Sequence, residues 1–321
     1  MNGADDQADR PRRGPLGWLG LWLRGVAMGI AELVPGVSGG TIAFITGIYR
    51  ELVAAIHAVD HIFLRELAGL RPVSAWRRAN GGFLVVLVLG MGSSLVAFSS
   101  TVQWLLDEHE ILVWAFFFGL IIASVVFIAG HVTPWTGPRI GLAAAGLACG
   151  AMVSMSDGLP VSDSLPVTFA AGAVAICAWI LPGVSGSFML LLLGQYQRII
   201  KALAGLDLVV VATFAAGCAV GLVIFARALH WLLAHAYAGT LAFLCGFMAG
   251  ALQKLWPWRQ TLSYYLDSDG DGIPVAVRPI SPMQFRELYG EDPQILAALL
   301  AASAGLALVV LLDLASRRRV E

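Results

Sequence analysis

The chain has 321 residues, of which 58% are hydrophobic and 13% charged, with a formal net charge of −1 and a mean hydropathy of +0.79. Soluble domains carry about twice that charged share, so a water-soluble fold is excluded, and the near-neutral balance offers no basic surplus for nucleic acid. The dyad pattern of a membrane β-barrel is absent, which leaves helices as the way to satisfy backbone groups in lipid.

Residues 1–15 set Asp5, Asp6 and Asp9 ahead of Arg10, Arg12 and Arg13. That start is too acidic for a signal peptide and reads as a disordered cytoplasmic tail. Residues 16–59 read as a helical hairpin broken at Pro35-Gly36-Val37-Ser38-Gly39-Gly40-Thr41. Apolar stretches at 83–104, 111–130 and 139–155 follow, each suited to crossing a bilayer. The pattern then restarts with a broken hairpin over 166–204, interrupted at Pro182-Gly183-Val184-Ser185-Gly186-Ser187, and spans at 208–229, 239–256 and 294–314. An acidic outer loop fills 257–293, and 316–321 forms a second cytoplasmic tail. Cys149, Cys177, Cys218 and Cys245 all fall inside apolar helices and read as small packing residues.

A shift of 147 residues lays Pro35-Gly36-Val37-Ser38-Gly39 on Pro182-Gly183-Val184-Ser185-Gly186, Gly47 on Gly194 and Tyr49 on Tyr196. Ala115-Phe116 with Gly119 is echoed more weakly by Ala242-Phe243 with Gly246. The chain is therefore expected to be an all-α polytopic membrane protein of two repeats, 16–155 and 166–315, each a broken re-entrant hairpin plus three transmembrane helices. If each hairpin returns to the side it entered, each half crosses three times and the halves are inverted. Charge placement agrees. With the N-terminus inside, the inner segments hold twelve Lys and Arg, whereas the outer ones hold only Arg259, Arg278 and Arg286.

The breaks carry the chemistry. Pro35 and Pro182 remove a backbone donor and stop the incoming helix. Ser38 or Thr41, and Ser185 or Ser187, can cap the outgoing one. Each break thus holds a helix start, with free N–H groups and partial positive charge, at membrane depth. That suits an anion, phosphate above all. The donors expected are the backbone N–H groups of Gly39, Gly40, Gly186 and Ser187 and the hydroxyls of Ser38, Thr41, Ser185 and Ser187. Arg24, Glu32, Arg50, Glu51 and Arg198 are ionisable groups in or beside the hairpins, where charge is costly and has a partner or a path. Arg24 is expected at the anion. Glu32, eight residues further along the same helix, is expected to pair with Arg24 or carry a proton, with Arg50, Glu51 and Arg198 as further coupling or pairing groups.

The stretches "GIAELVPGVSGGTIAFITGIYREL" and "LPGVSGSFMLLLLGQYQRII" resemble the two signature motifs of the polyprenyl-phosphate translocase family, over about residues 16 to 315. The resemblance implies a flippase in the bacterial plasma membrane, with both termini cytoplasmic. It would return undecaprenyl phosphate, the lipid carrier of cell-wall synthesis, from the outer to the inner leaflet. Its partners would be that lipid and the bilayer, with self-association left open and no cofactor required. A membrane lipid-pyrophosphate phosphatase is the enzymatic rival. Gly39 and Gly186 stand where such enzymes have an Arg after the Ser, and no nucleophile, base and charge clamp come together. A small-anion channel is the other rival. In the outer loop Asp267, Asp269 and Asp271 alternate before Gly272 like a Ca2+ turn, but Arg278 stands where a bidentate Glu would complete it.

Overall fold

The computed structural model describes residues 13–34, 38–59, 61–155, 164–182, 185–266 and 272–317. Helix α1 (Pro15–Leu33) opens on a proline in its first turn, which needs no intrahelical N–H there. After the first break come α2 (Gly39–Ile45) and α3 (Tyr49–His57), bent by 119° to one another. Two short helices, α4 (His61–Ala68) and α5 (Pro72–Arg78), lead into α6 (Gly81–Glu108), α7 (Glu110–His131) and α8 (Gly137–Met155). The second half repeats the order with α9 (Leu165–Ile180), α10 (Gly186–Leu192), α11 (Tyr196–Ala204), α12 (Leu208–His235) and α13 (Tyr237–Ala251). A 3-10 turn (Leu252–Leu255), strands β1 (Arg259–Leu266) and β2 (Gly272–Pro279), α14 (Pro282–Tyr289) and α15 (Ile295–Arg317) complete it.

Among the described residues six helices are long and apolar enough to cross a membrane: α1, α6, α7, α8, α12, and α13 with its 3-10 turn. Helix α9 and the stretch Ile295–Leu311 of α15 are apolar but shorter. The protein is an all-α polytopic membrane fold, with one two-stranded β-hairpin among the described residues. The core forms around Leu21, Met28, Phe83, Ile121, Ile180 and Leu241, while residues such as Val96, 85% exposed, face outward as lipid requires.

The repeat is visible in local structure. Ile48 N–H donates to Ala43 O at 2.9 Å, and Gln195 N–H donates to Leu190 O at 2.9 Å. Each bond closes a helix end through a left-handed glycine, Gly47 (φ 75°) and Gly194 (φ 62°). This explains the identity of the two glycines at the 147-residue shift. The weaker echo has a packing cause. Gly119 of α7 lies against the Ala302 backbone of α15, and Gly246 of α13 against the Ala143 backbone of α8. Gly305 returns the contact to Phe116, as Gly146 does to Phe243. Each half therefore lends its last helix to the other. The first arms pack within their halves, Gly25 of α1 against Leu87 and Gly90 of α6, and Gly172 of α9 against Phe214 of α12.

Two features differ from the sequence reading. Segment 257–293 is not a plain loop, since β1 and β2 pair antiparallel with Gln260 opposite Arg278 and Leu266 opposite Gly272. The reason is local: Thr, Tyr and Val favour a pleated strand, and Ser281 and Gln284 form a capping box that starts α14. Arg13, expected in a disordered tail, is fixed instead. It forks onto the Glu51 carboxylate (Nη1 to Oε1 2.8 Å), and Asn80 Nδ2 donates to the same oxygen at 2.8 Å.

Candidate functional site

The Arg13–Glu51–Asn80 cluster joins the residues just before α1, at the start of α3 and just before α6. Helix α1 has 19 residues, a rise of about 28 Å. The chain thus climbs the length of α1, breaks, and comes back to the level where it began. In the second half Thr168 Oγ1, in the first turn of α9, donates to Gln195 Oε1 at 3.1 Å, immediately before α11. That hairpin also returns to its own base.

At the top of the first hairpin the start of α2 packs on the end of α9, just before the second break. Ser38 is wholly buried; its Oγ donates to Trp179 O at 3.1 Å and accepts from Gly40 N–H at 3.1 Å, capping α2. Gly40 packs so closely on the end of α9 that a Cβ there would stand 2.5 Å from Ile180 O. Gly39 N–H donates to Glu32 Oε1 at 2.6 Å, and a Cβ on Gly39 would come within 2.9 Å of that oxygen. The carboxylate of Glu32 therefore occupies the place where an anion would meet the first turn. Its partner is this backbone N–H and not the Arg24 guanidinium. Eight residues separate the two along α1 by about 12 Å, which explains the difference. Arg24 is half-buried on α1.

The second turn is built differently. Trp179 occupies the repeat position of Glu32, and Ser187 that of Gly40. Ser185 begins α10 without a side-chain cap, because its Oγ shares a 2.7 Å hydrogen bond with Ser187 Oγ. Thr41 and Ser185 are fully buried, and Gly186 abuts the Ala175 carbonyl. The two turns are thus unequal in charge. One is filled by its own carboxylate, and the other offers neutral hydroxyls.

The remaining charged candidates lie at the hairpin bases. Arg50 is exposed, with its guanidinium 5.3 Å from the Tyr237 ring centroid. Glu51 is taken by Arg13 and Asn80, and half-buried Arg198 sits at the repeat position of Glu51. Asp267, Asp269 and Asp271 lie outside the described residues, and among the described residues no group of three or more metal-ligating side chains is found. Sequence reasoning passed over Lys254, whose Nζ stands 3.9 Å from the Phe188 ring centroid beside the second turn. The available signal was a single lysine closing the apolar run 239–256.

Ser38 ties the start of α2 to the end of α9, so Ser38→Ala should act first on stability. It removes a cap and leaves a buried N–H and a buried carbonyl without their partner, a cost of about 1–3 kcal/mol. A fall in melting temperature of the purified protein is the expected readout; an unshifted transition would mean that the Ser38 bridge does not hold α2 on α9.

The family described as undecaprenyl phosphate translocase-like matches residues 28–273, which contain both breaks. A Vibrio cholerae serotype O1 protein named polyprenyl-phosphate transporter is 39% identical over 298 residues, covering 93% of this chain and 97% of that relative. A Staphylococcus aureus protein of the same name is 34% identical over 260 residues, 75% of this chain and 86% of that protein. No solved structure matches significantly.

Proposed function

Because the chain belongs to the undecaprenyl phosphate translocase-like family, we propose that it carries a polyprenyl phosphate from the outer to the inner leaflet of the bacterial plasma membrane, so that the carrier lipid can be used again in cell-wall synthesis. The observation that supports this reading is the packing of the first turn on the end of α9, just before the second break, with Ser38 Oγ on Trp179 O and Gly40 on the Ile180 carbonyl. In this reading the turns present Ser38, Gly39, Gly40 and Thr41 from one half and Ser185, Gly186 and Ser187 from the other to a single phosphate head, with Arg24 on the approach. Glu32 yields the first turn when the phosphate arrives, and Arg50, Glu51 and Arg198 hold the hairpin bases. The protein acts as a transporter and not as an enzyme, in keeping with the names of its relatives. Ca2+ at Asp267, Asp269 and Asp271 is an accessory of the outer loop in this reading, and transport needs no cofactor.

The return of each hairpin to its base gives it an even number of crossings and so leaves each half an odd number, which supports inverted halves; the placement of Lys and Arg supports cytoplasmic termini. Single cysteines at Val73 and Asp107, both exposed, are expected to react with an impermeant thiol reagent from opposite sides, Asp107→Cys from outside. Labelling of both from one side would overturn the topology. Transport itself is tested in proteoliposomes holding polyprenyl phosphate. The purified chain should speed loss of the lipid from the outer leaflet, and it should not release inorganic phosphate from a lipid pyrophosphate. Equal lipid movement in protein-free vesicles would sink the translocase reading.

A further inference from the structure

We infer that the Lys254 ammonium, held over the Phe188 ring, is the cation that receives the phosphate head group at the second turn; the inference rests on the lipid-phosphate reading above. Lys254 lies in the single 3-10 turn (Leu252–Leu255) that ends α13. Its Nζ is 3.9 Å from the Phe188 ring centroid. Phe188 is buried and is the third residue of α10, directly after Ser185-Gly186-Ser187. The ammonium is thus carried inward, to the start of the helix that follows the second break.

Its charge is not balanced by a carboxylate. Neither the Arg13–Glu51 ion pair nor the Arg259–Glu110 pair includes Lys254. The neighbouring charge that acts on Lys254 is Arg259, which repels it. Arg259 is itself neutralised by Glu110 and rests 3.8 Å from the Trp114 ring centroid. A cation whose company is an aromatic face and a second cation is well placed to take up an anion, because the ring satisfies it only partly and low polarity strengthens an ionic contact. The repeat asymmetry points the same way, since Trp179 leaves the second turn without the carboxylate that Glu32 brings to the first. Phe188 packs in a buried apolar cluster with Ala178, Leu192 and Phe247, which fixes the ring under the ammonium. The ligand class is a phosphate monoester of a long apolar alcohol. The Ser185–Ser187 hydroxyl pair supplies hydrogen bonds and Lys254 supplies charge.

The competing role is a lysine that reaches for the membrane interface and packs on a ring in passing. Binding of farnesyl phosphate and of farnesol to the full chain in nanodiscs separates the two. Lys254→Gln should weaken farnesyl phosphate binding by about ten-fold or more, as loss of a charge-assisted contact does, and leave farnesol binding unchanged. Lys254→Arg should keep most of the affinity. If Lys254→Gln does not fold, Lys254→Met, of similar length and without charge, gives the same comparison. Unchanged phosphate affinity, or equal losses for both ligands, would overturn the role of Lys254 while leaving the translocase reading intact. No preference of the unaltered protein for the phosphate over the alcohol would overturn both.

Discussion

Gly40→Val is expected to slow lipid transport by about two orders of magnitude, a barrier of about 2.7 kcal/mol. A Cβ at Gly40 would stand 2.5 Å from Ile180 O and 3.1 Å from its carbonyl carbon. Both are backbone atoms at the end of α9, so no side chain can swing aside to make room. The two branched methyl groups add to the overlap, and forcing volume into a packed contact costs about 1–3 kcal/mol. The first turn must then part from α9, and a head-group site shared between the two halves is lost. Gly92→Val is the control, since nothing lies within 4 Å of a Cβ there and the position is exposed on α6. Transport rates in proteoliposomes and melting temperatures should be measured on both. If Gly40→Val transports like the unaltered protein, contact between the first turn and α9 is irrelevant to function.

The second large effect is expected at Glu32. Its Oε1 accepts from Gly39 N–H at 2.6 Å. A glutamine keeps a carbonyl oxygen in the same place, so the hydrogen bond and the fold should survive Glu32→Gln. What disappears is the charge. A carboxylate in the first turn and a phosphate arriving there repel one another, so passage of the lipid requires Glu32 to move away or take up a proton. With glutamine neither event is coupled to the phosphate. Transport is expected to fall about ten-fold or more, a change of about 1.4 kcal/mol, while the melting temperature hardly shifts. Glu32→Ala should lower stability as well, by about 1–3 kcal/mol, because the Gly39 N–H loses its acceptor. Normal transport by Glu32→Gln at every pH examined would reduce Glu32 to a structural cap.

Much of this architecture could be read in the residues, and the reasons are local. Pro182 and the glycines that follow it end and restart a helix wherever they stand, so the breaks and their repetition were visible. Gly47 and Gly194 carry a left-handed backbone that few other residues adopt, which made them repeat. The contacts that decide the site were less visible. A helix surrounded by lipid is apolar all round, so it carries little periodic sign of which neighbour it meets, and the pairing of α7 with α15 spans most of the chain. For Glu32 helical spacing suggested Arg24, whereas its Oε1 accepts from Gly39 N–H. The Gly39 N–H can be seen only once the chain has turned back at the break. The strands were missed because the acidic stretch between them read as an outer loop, although "RQTLSYYL" and "GIPVAVRP" carry strand-forming residues.

The exchange of last helices between halves has a mechanical consequence. With α15 fastened to α7 and α8 to α13 through backbone-close glycines, the four form one interlocked frame to which both halves contribute. Two bodies so spliced cannot rock against each other as wholes, the motion by which many repeat-built carriers expose a site to each side in turn. Movement has to be confined to the outer levers, α1 with α6 and α9 with α12, swinging on that frame. The levers are not independent either. His57 of α3 stacks on His230 of α12 with ring centroids 4.3 Å apart, so the hairpin of one half rides on the long helix of the other and the two sides move as a linked pair.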